Sequence, residues 1–219
     1  MSCYRYNKFR IPPTRRQAPG WSLTGLIFTV LMILCAPTGF AASARTILIE
    51  ISEKPHMERP DFKVPDDPHQ LFFLQRSMNA NTIVYAARIT VDGRLDAKSP
   101  VDVYWRRFNG DGERRELSWL ERSFAFGVYS RPARNPGEYQ IEFKALPGRP
   151  MLLRQTGSGK FELTGQIGPY LVTPTFIFVD LDETSLVPRV QYLYLHGTDV
   201  KTGKSITETL AVAGGDASR

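Results

Sequence analysis

From residue 45 onward, glycine and proline punctuation cuts the chain into about ten short runs rich in β-branched and aromatic residues, and this spacing constrains the fold more than any other feature. Residues 45–52 (RTILIEIS) alternate apolar and polar, the period of a half-buried strand. Residues 71–78, 81–90, 101–108, 139–146, 151–156, 161–167, 175–182, 190–197 and 205–212 repeat the strand signal. Residues 79–81, Asp92-Gly93, Asn109-Gly110-Asp111-Gly112, Pro147-Gly148, Gly168-Pro169 and Thr202-Gly203 predict turns between them, because Gly, Asn and Asp tolerate the positive φ of tight connections. One segment changes period: Leu117, Leu120 and Phe124 fall at helical spacing among charges, which predicts a short amphipathic helix over 115–125. Pro55, Pro60, Pro65 and Pro68 each remove a backbone donor and bias the preceding residue to extended geometry, so 54–68 is expected to be an extended crossing without helix. The expectation is an all-β fold, an antiparallel β-sandwich or alternatively a closed barrel, with one short helix.

The segment before this pattern has a different logic. Arg5, Lys8, Arg10, Arg15 and Arg16 precede an apolar run from Trp21 to Ala36, and Ala42-Ser43-Ala44 follows it. Sixteen residues of helix reach roughly 24 Å, short of the roughly 30 Å hydrocarbon core of a bilayer. Basic region, short apolar region and A-x-A together are the order of a secretory signal, so residues 1–44 are expected to be removed. What remains, 45–219, is expected to be a single β-rich domain outside the cytoplasm, with no transmembrane helix. Cys35 follows Leu34, where lipoprotein processing requires a small residue, and Arg15-Arg16 leaves the export route open between the general and twin-arginine systems.

Two inferences change once the leader is set aside. The chain's 2 cysteines, Cys3 and Cys35, both lie in it, so the mature domain has no disulfide, no thiolate-ligated metal and no cysteine nucleophile. Taking the five leader cations from 28 basic residues leaves 23 against 22 acidic ones. The net charge of +6 is therefore a property of the leader and gives no argument for nucleic acid as a partner.

The runs QLFFLQR, NTIVYAA, DGRLD, PVDVYW, ELSWLERSFAFGV and VQYLYLHGTDVKTGK resemble a family of exported bacterial proteins known as domain of unknown function 4833. The resemblance extends over nearly all of the mature chain. It implies an exported, single-domain protein and carries no assigned activity.

Candidate chemistry is sparse. His56, His69 and His196 are the chain's 3 histidines, and with Asp66, Asp67 and Asp199 they give too few convergent ligands to predict a metal site. Gly157-Ser158-Gly159-Lys160 has neither the phosphate-loop nor the nucleophile-elbow spacing and reads as a hairpin turn. Asp180 and Asp182 share one strand face and, with Glu183, could act as acid and base or end a strand in solvent. No cofactor is expected. The densest concentration is basic and aromatic: residues 106–160 carry 11 basic and 6 acidic side chains, against 3 and 7 over 161–218. Arginine suits bidentate contacts with carboxylate or phosphate and stacking on rings. Tyr104, Trp105, Arg106, Arg114 and Arg122 are the candidate ligand-binding residues, for an anionic envelope partner. Glu113, Glu116 and Glu121 stand as their alternative partners, in which case the arginines only decorate the surface. Alternation in VDVYWRRF places Val103, Trp105 and Arg107 on one face, with Tyr104 and Arg106 looking outward. The reading is a non-enzymatic binding or scaffolding domain; a hydrolase using His196 or His69 with Asp180 or Asp182, and a small-ligand carrier barrel, are the alternatives.

Overall fold

The computed structural model describes residues 44–54, 56–157, 159–182, 184 and 189–212, among which twelve strands form one continuous, forked sheet. In chain order these are β1 (Ala44–Ser52), β2 (Gln70–Arg76), β3 (Asn79–Ala87), β4 (Val101–Arg106) and β5 (Arg114–Glu116). The helix α1 (Trp119–Phe124) follows, then β6 (Val128–Pro132), β7 (Tyr139–Phe143), β8 (Met151–Gly157), β9 (Lys160–Ile167), β10 (Tyr170–Asp182), β11 (Arg189–Asp199) and β12 (Ser205–Val212). Residues 1–43, on which the signal reading rests, lie outside the described residues.

The fork lies in β10. One of its edges pairs with β11 from Val172 to Asp182. On the other edge Tyr170, Leu171 and Val172 pair antiparallel with β9, and Phe176 to Val179 pair parallel with β2. Between the two partners stands Pro174, which has no N–H to offer a ladder. Its neighbour on β11 is Gly197, where an added Cβ would come 3.0 Å from the Thr173 carbonyl oxygen. From the fork one arm runs β2-β3-β4-β5 and the other β9-β8-β7-β6, while β11, β12 and β1 extend the stem.

The two arms close over the core. Phe72 on β2 stacks on Tyr85 of β3 at 4.4 Å between centroids, and Phe143 of β7 meets both edge-on at 4.8 and 5.1 Å. Such ring pairs add about 0.5–1.5 kcal/mol beyond the area they bury. The alternation read from the sequence is what aims them: Phe72 and Leu74 face the core, and Phe73 and Gln75 face away. That second face is covered too, by the proline-rich crossing, which holds no helix among its described residues. Phe62 is buried there, Gln75 donates to the Lys63 carbonyl at 3.3 Å, and the Tyr104 hydroxyl donates to Asp67.

The sandwich expectation holds in this forked form, with one parallel pairing among the antiparallel ones. The barrel alternative does not hold, because β1, β5 and β6 end the sheet with unpaired edges among the described residues. Local expectations shift at two places. The β2–β3 turn is Ser77-Met78, since Arg76 pairs with Asn79, and Asn79–Asn81 belong to β3. The expected helix over 115–125 begins as β5, because Ser118 and Glu121 form a capping box that fixes the helix start at Trp119 and leaves Arg114–Glu116 free to pair with β4.

Candidate functional site

At the end of the sandwich furthest along β4, the apolar lining gives way to cations. Trp105 is buried, and its ring has the Arg76 guanidinium 5.1 Å and the Arg107 guanidinium 5.2 Å from its centroid. Register explains the meeting: Leu74 pairs with Ile83 and Ile83 with Trp105, so the inward row of β2 ends on Arg76 beside the inward row of β4. Arg107 continues that row and is held by its own N–H to the Glu113 carbonyl at 3.0 Å. The loop it opens returns through Gly112, whose φ of 83° is open to glycine and strained for other residues. Arg115 pairs with Trp105 from β5, shares its face and is exposed.

The helix closes the other side of this group. Glu121 accepts from the Trp105 indole N–H at 3.2 Å through one carboxylate oxygen and from the Ser118 N–H at 2.7 Å through the other. Phe126 meets Trp105 edge-on at 5.6 Å. Gly127 allows the tight exit from the helix, since a Cβ there would lie 1.9 Å from the Arg122 carbonyl oxygen. Leu117, one of the apolar positions read as helical, sits in the core just before α1, whereas Phe124 projects outward at 60% exposure.

Electrostatics separates these arginines from several others, although Arg106 shares the buried Nε without an acceptor. Arg88 and Arg114 both bond Asp102, Arg114 and Arg122 both bond Glu116, Arg149 grips Glu208, and Arg154 bonds Glu162. Burial by itself raises the Asp102 pKa, and the hydrogen bonds from Arg88 and Arg114 outweigh it and hold the carboxyl below its ordinary value. Neither Arg76 nor Arg107 has an ion pair among the described residues, and the Nε of each is buried without an acceptor there. Burial first, and then the like charge of Arg107, lower the Arg76 pKa, against a weaker pull from Glu121. A buried N–H without an acceptor is costly.

Of the residues singled out from sequence, Trp105 lies in this group. Tyr104 does not look outward as expected: it is buried with Val84 and Ala86 beneath the crossing. Its ring carries the Arg114 guanidinium at 3.9 Å, and burial, followed by Asp67, pushes its pKa up. Arg114 bonds Asp102 and Glu116, and Arg122 bonds Glu116, the one of the three expected glutamates that meets either of them. Arg106 faces Phe108 at 5.8 Å on the outer side, with its Nε also lacking an acceptor. Arg76 was not singled out, although its place in QLFFLQR, two residues after the inward Leu74, carried the signal.

The histidine and carboxylate candidates are not brought together. His196 is 2% exposed, stacks on Phe176 at 4.0 Å, and has Nδ1 2.9 Å from Thr207 Oγ1 and Nε2 2.8 Å from Glu58 Oε1, the last contact angled off a good hydrogen bond. Because His196 pairs with Phe176, it stands four strand positions from Asp180, about 13 Å. His69 packs edge-on against Phe161, and Asp182 is bonded by Thr184. Gly157 pairs with Lys160, which makes that run a hairpin connection; Ser158 and Glu183 lie outside the described residues. No set of three or more metal-ligating side chains converges among the described residues, and no helix there is long and apolar enough to cross a membrane.

Fold and site thus define an open, forked β-sandwich whose most unusual feature is a pair of unneutralised arginines on a buried tryptophan. The family model described as a domain of unknown function (DUF4833) matches residues 72–209, and the chain belongs to that family. No curated protein and no solved structure matches it.

Proposed function

We propose that the protein is an exported, non-enzymatic binding domain that takes an anionic group, a carboxylate or phosphate, on Arg76 and Arg107 beside Trp105. The observation that carries this is the contrast among the arginines. Where Arg88, Arg114, Arg122, Arg149 and Arg154 each meet a carboxylate, the two on Trp105 repel one another with unused donors. An oxyanion would supply acceptors to both and remove the repulsion, and charge-assisted hydrogen bonds of this kind are the strong ones. Trp105 gives each cation an aromatic face and gives the ligand a rigid wall.

Export is supported by the basic, apolar and Ala42-Ser43-Ala44 order of the N-terminal residues. The expected cleavage point falls at the start of β1, so removal of residues 1–44 takes only Ala44 from the strand and leaves the pairing from Arg45 with Ala211 onward. Mass spectrometry of the exported protein is expected to find an N-terminus near Arg45; an intact Met1 chain would contradict it. The hydrolase alternative has less support, since His196 stands about 13 Å along the sheet from Asp180 and His69 packs against Phe161.

Calorimetric titration with inorganic phosphate and with citrate tests the binding reading. Arg76→Gln and Arg107→Gln are each expected to weaken binding about tenfold or more, the loss of one charge-assisted contact, while Arg114→Gln leaves it within a factor of about 2–3. Equal losses in all three would contradict the assignment.

A further inference from the structure

Next to the arginine site the surface is unusual in another way. The helix α1 buries none of its residues, although it is capped at Ser118 and anchored through Glu121. Trp119 is 72% exposed, Phe124 60% and Tyr129 62%, and the Trp119 and Phe124 rings meet edge-on at 6.1 Å. Tyr129 belongs to the same patch: Lys144 donates to the Ser123 carbonyl at 2.6 Å and lies 4.8 Å from the Tyr129 centroid, which ties the β6 ring to the end of the helix. Exposed apolar patches of this kind mark interaction sites, and three large rings held in water on and beside a capped helix make one.

We propose that Trp119, Phe124 and Tyr129 seat this end of the sandwich in the interfacial layer of an anionic bilayer, so that the anion met by Arg76 and Arg107 is a lipid headgroup. The inference rests on the anion reading above and names its ligand class. Residue type argues for a bilayer over a protein groove: Trp, Tyr and Phe are the side chains that settle at the headgroup level. Shape agrees, because the rings stand on a short helix that buries none of its residues and on an edge strand. Charge complementarity supplies the rest. Arg115 is exposed on the face it shares with Trp105, Lys144 lies over the Tyr129 ring, and the arginine pair shares Trp105 with Glu121 of the helix that bears Trp119 and Phe124. A headgroup phosphate at that depth meets guanidinium donors while the rings take up the boundary with the acyl chains.

Co-sedimentation with vesicles tests this, using protein purified from its producing cells with wild type and variants processed alike. The vesicles are phosphatidylcholine alone or phosphatidylcholine with phosphatidylglycerol, and inorganic phosphate binding is measured in parallel. Wild type is expected to sediment with the anionic vesicles at least about tenfold better than with the neutral ones, and less well as salt rises. The variant Trp119→Ser, Phe124→Ser, Tyr129→Ser is expected to lose vesicle binding about tenfold or more while keeping its melting temperature and its affinity for phosphate. Arg76→Gln with Arg107→Gln is expected to lose both vesicle and phosphate binding. Phosphate binding without vesicle binding in the wild type overturns the membrane inference and leaves the anion reading standing. Vesicle binding that survives the serine variant overturns it as well. Capture of an acidic polysaccharide such as polygalacturonate in place of vesicles would assign the site to a soluble polymer instead.

Discussion

Glu121 connects the helix, the tryptophan and the arginine pair, and replacing it separates their contributions. Glu121→Gln keeps an oxygen for the Trp105 N–H and an amide near Ser118, but it removes the one negative charge that acts on Arg76. A unit charge about 6 Å from a bound anion repels it by about 0.7 kcal/mol at the dielectric of water and about 3 kcal/mol at the effective value near a protein surface. Removing that charge is expected to tighten phosphate binding by a factor of about 3 to 100. Stability should fall by about 1–3 kcal/mol, since Gln has one oxygen for the two N–H groups that Glu121 accepts from and leaves one of them facing an NH2 donor. Glu121→Ala behaves differently, because it also strips the cap and leaves the buried indole N–H without a partner, at a cost of about 2–4 kcal/mol for the two effects together. Calorimetric titration with phosphate, paired with urea denaturation of each variant, reads both quantities. If folded Glu121→Gln binds phosphate no better than wild type, the anion does not sit at these arginines and the electrostatic argument fails.

Elsewhere the structure gives equally specific expectations. Glu208 is sealed in the stem with a side chain 2% exposed and is held by Arg149 and Thr46. Arg149→Ala is expected to cost about 3 kcal/mol, and Arg149→Met with Glu208→Leu to recover most of it, as urea midpoints would show. Asp102 titrates below its ordinary value in the folded state. Its contribution is therefore full above the unfolded pKa of about 3.9 and is lost as pH falls through the depressed folded value. Asp102→Asn is expected to cost about 1–3 kcal/mol at neutral pH and to flatten the acid limb of the stability curve. Gly127→Ala forces a methyl against the Arg122 carbonyl and is expected to speed hydrogen exchange at the Ala125 and Phe126 amides, which bond the Glu121 carbonyl.

What was legible in the sequence followed the reach of its periodicities. Alternation in QLFFLQR and VDVYWRRF aims Phe72, Leu74 and Trp105 at one core, and the same rule put Arg107 beside Trp105. Periodicity could not tell that the opposite face was also covered, because the covering segment is the proline-rich crossing, whose contacts with Tyr104 and Gln75 are long-range. That is why Tyr104 was expected in solvent. The helix boundary was misplaced because Leu117 fits a helical stripe and a strand exit equally well, and the Ser118–Glu121 cap decides between them. The bond between Arg114 and Asp102 was not legible either, because the pairing of β4 with β5 brings the two together. Arg76 was passed over because it is distant in sequence from the other cations, and only the pairing β2-β3-β4 brings it to Trp105.

The most direct measurement is of the arginine side chains themselves. The Nε–Hε resonances of Arg76 and Arg107, assigned through Arg→Lys variants, can be followed by nuclear magnetic resonance as inorganic phosphate is added. Both are expected to move together with one saturating dissociation constant, while the resonances of Arg88 and Arg114, already bonded to Asp102, stay in place. Shifts spread evenly over all arginines and growing without saturation would mean that phosphate only screens the surface, and would contradict a site at Trp105.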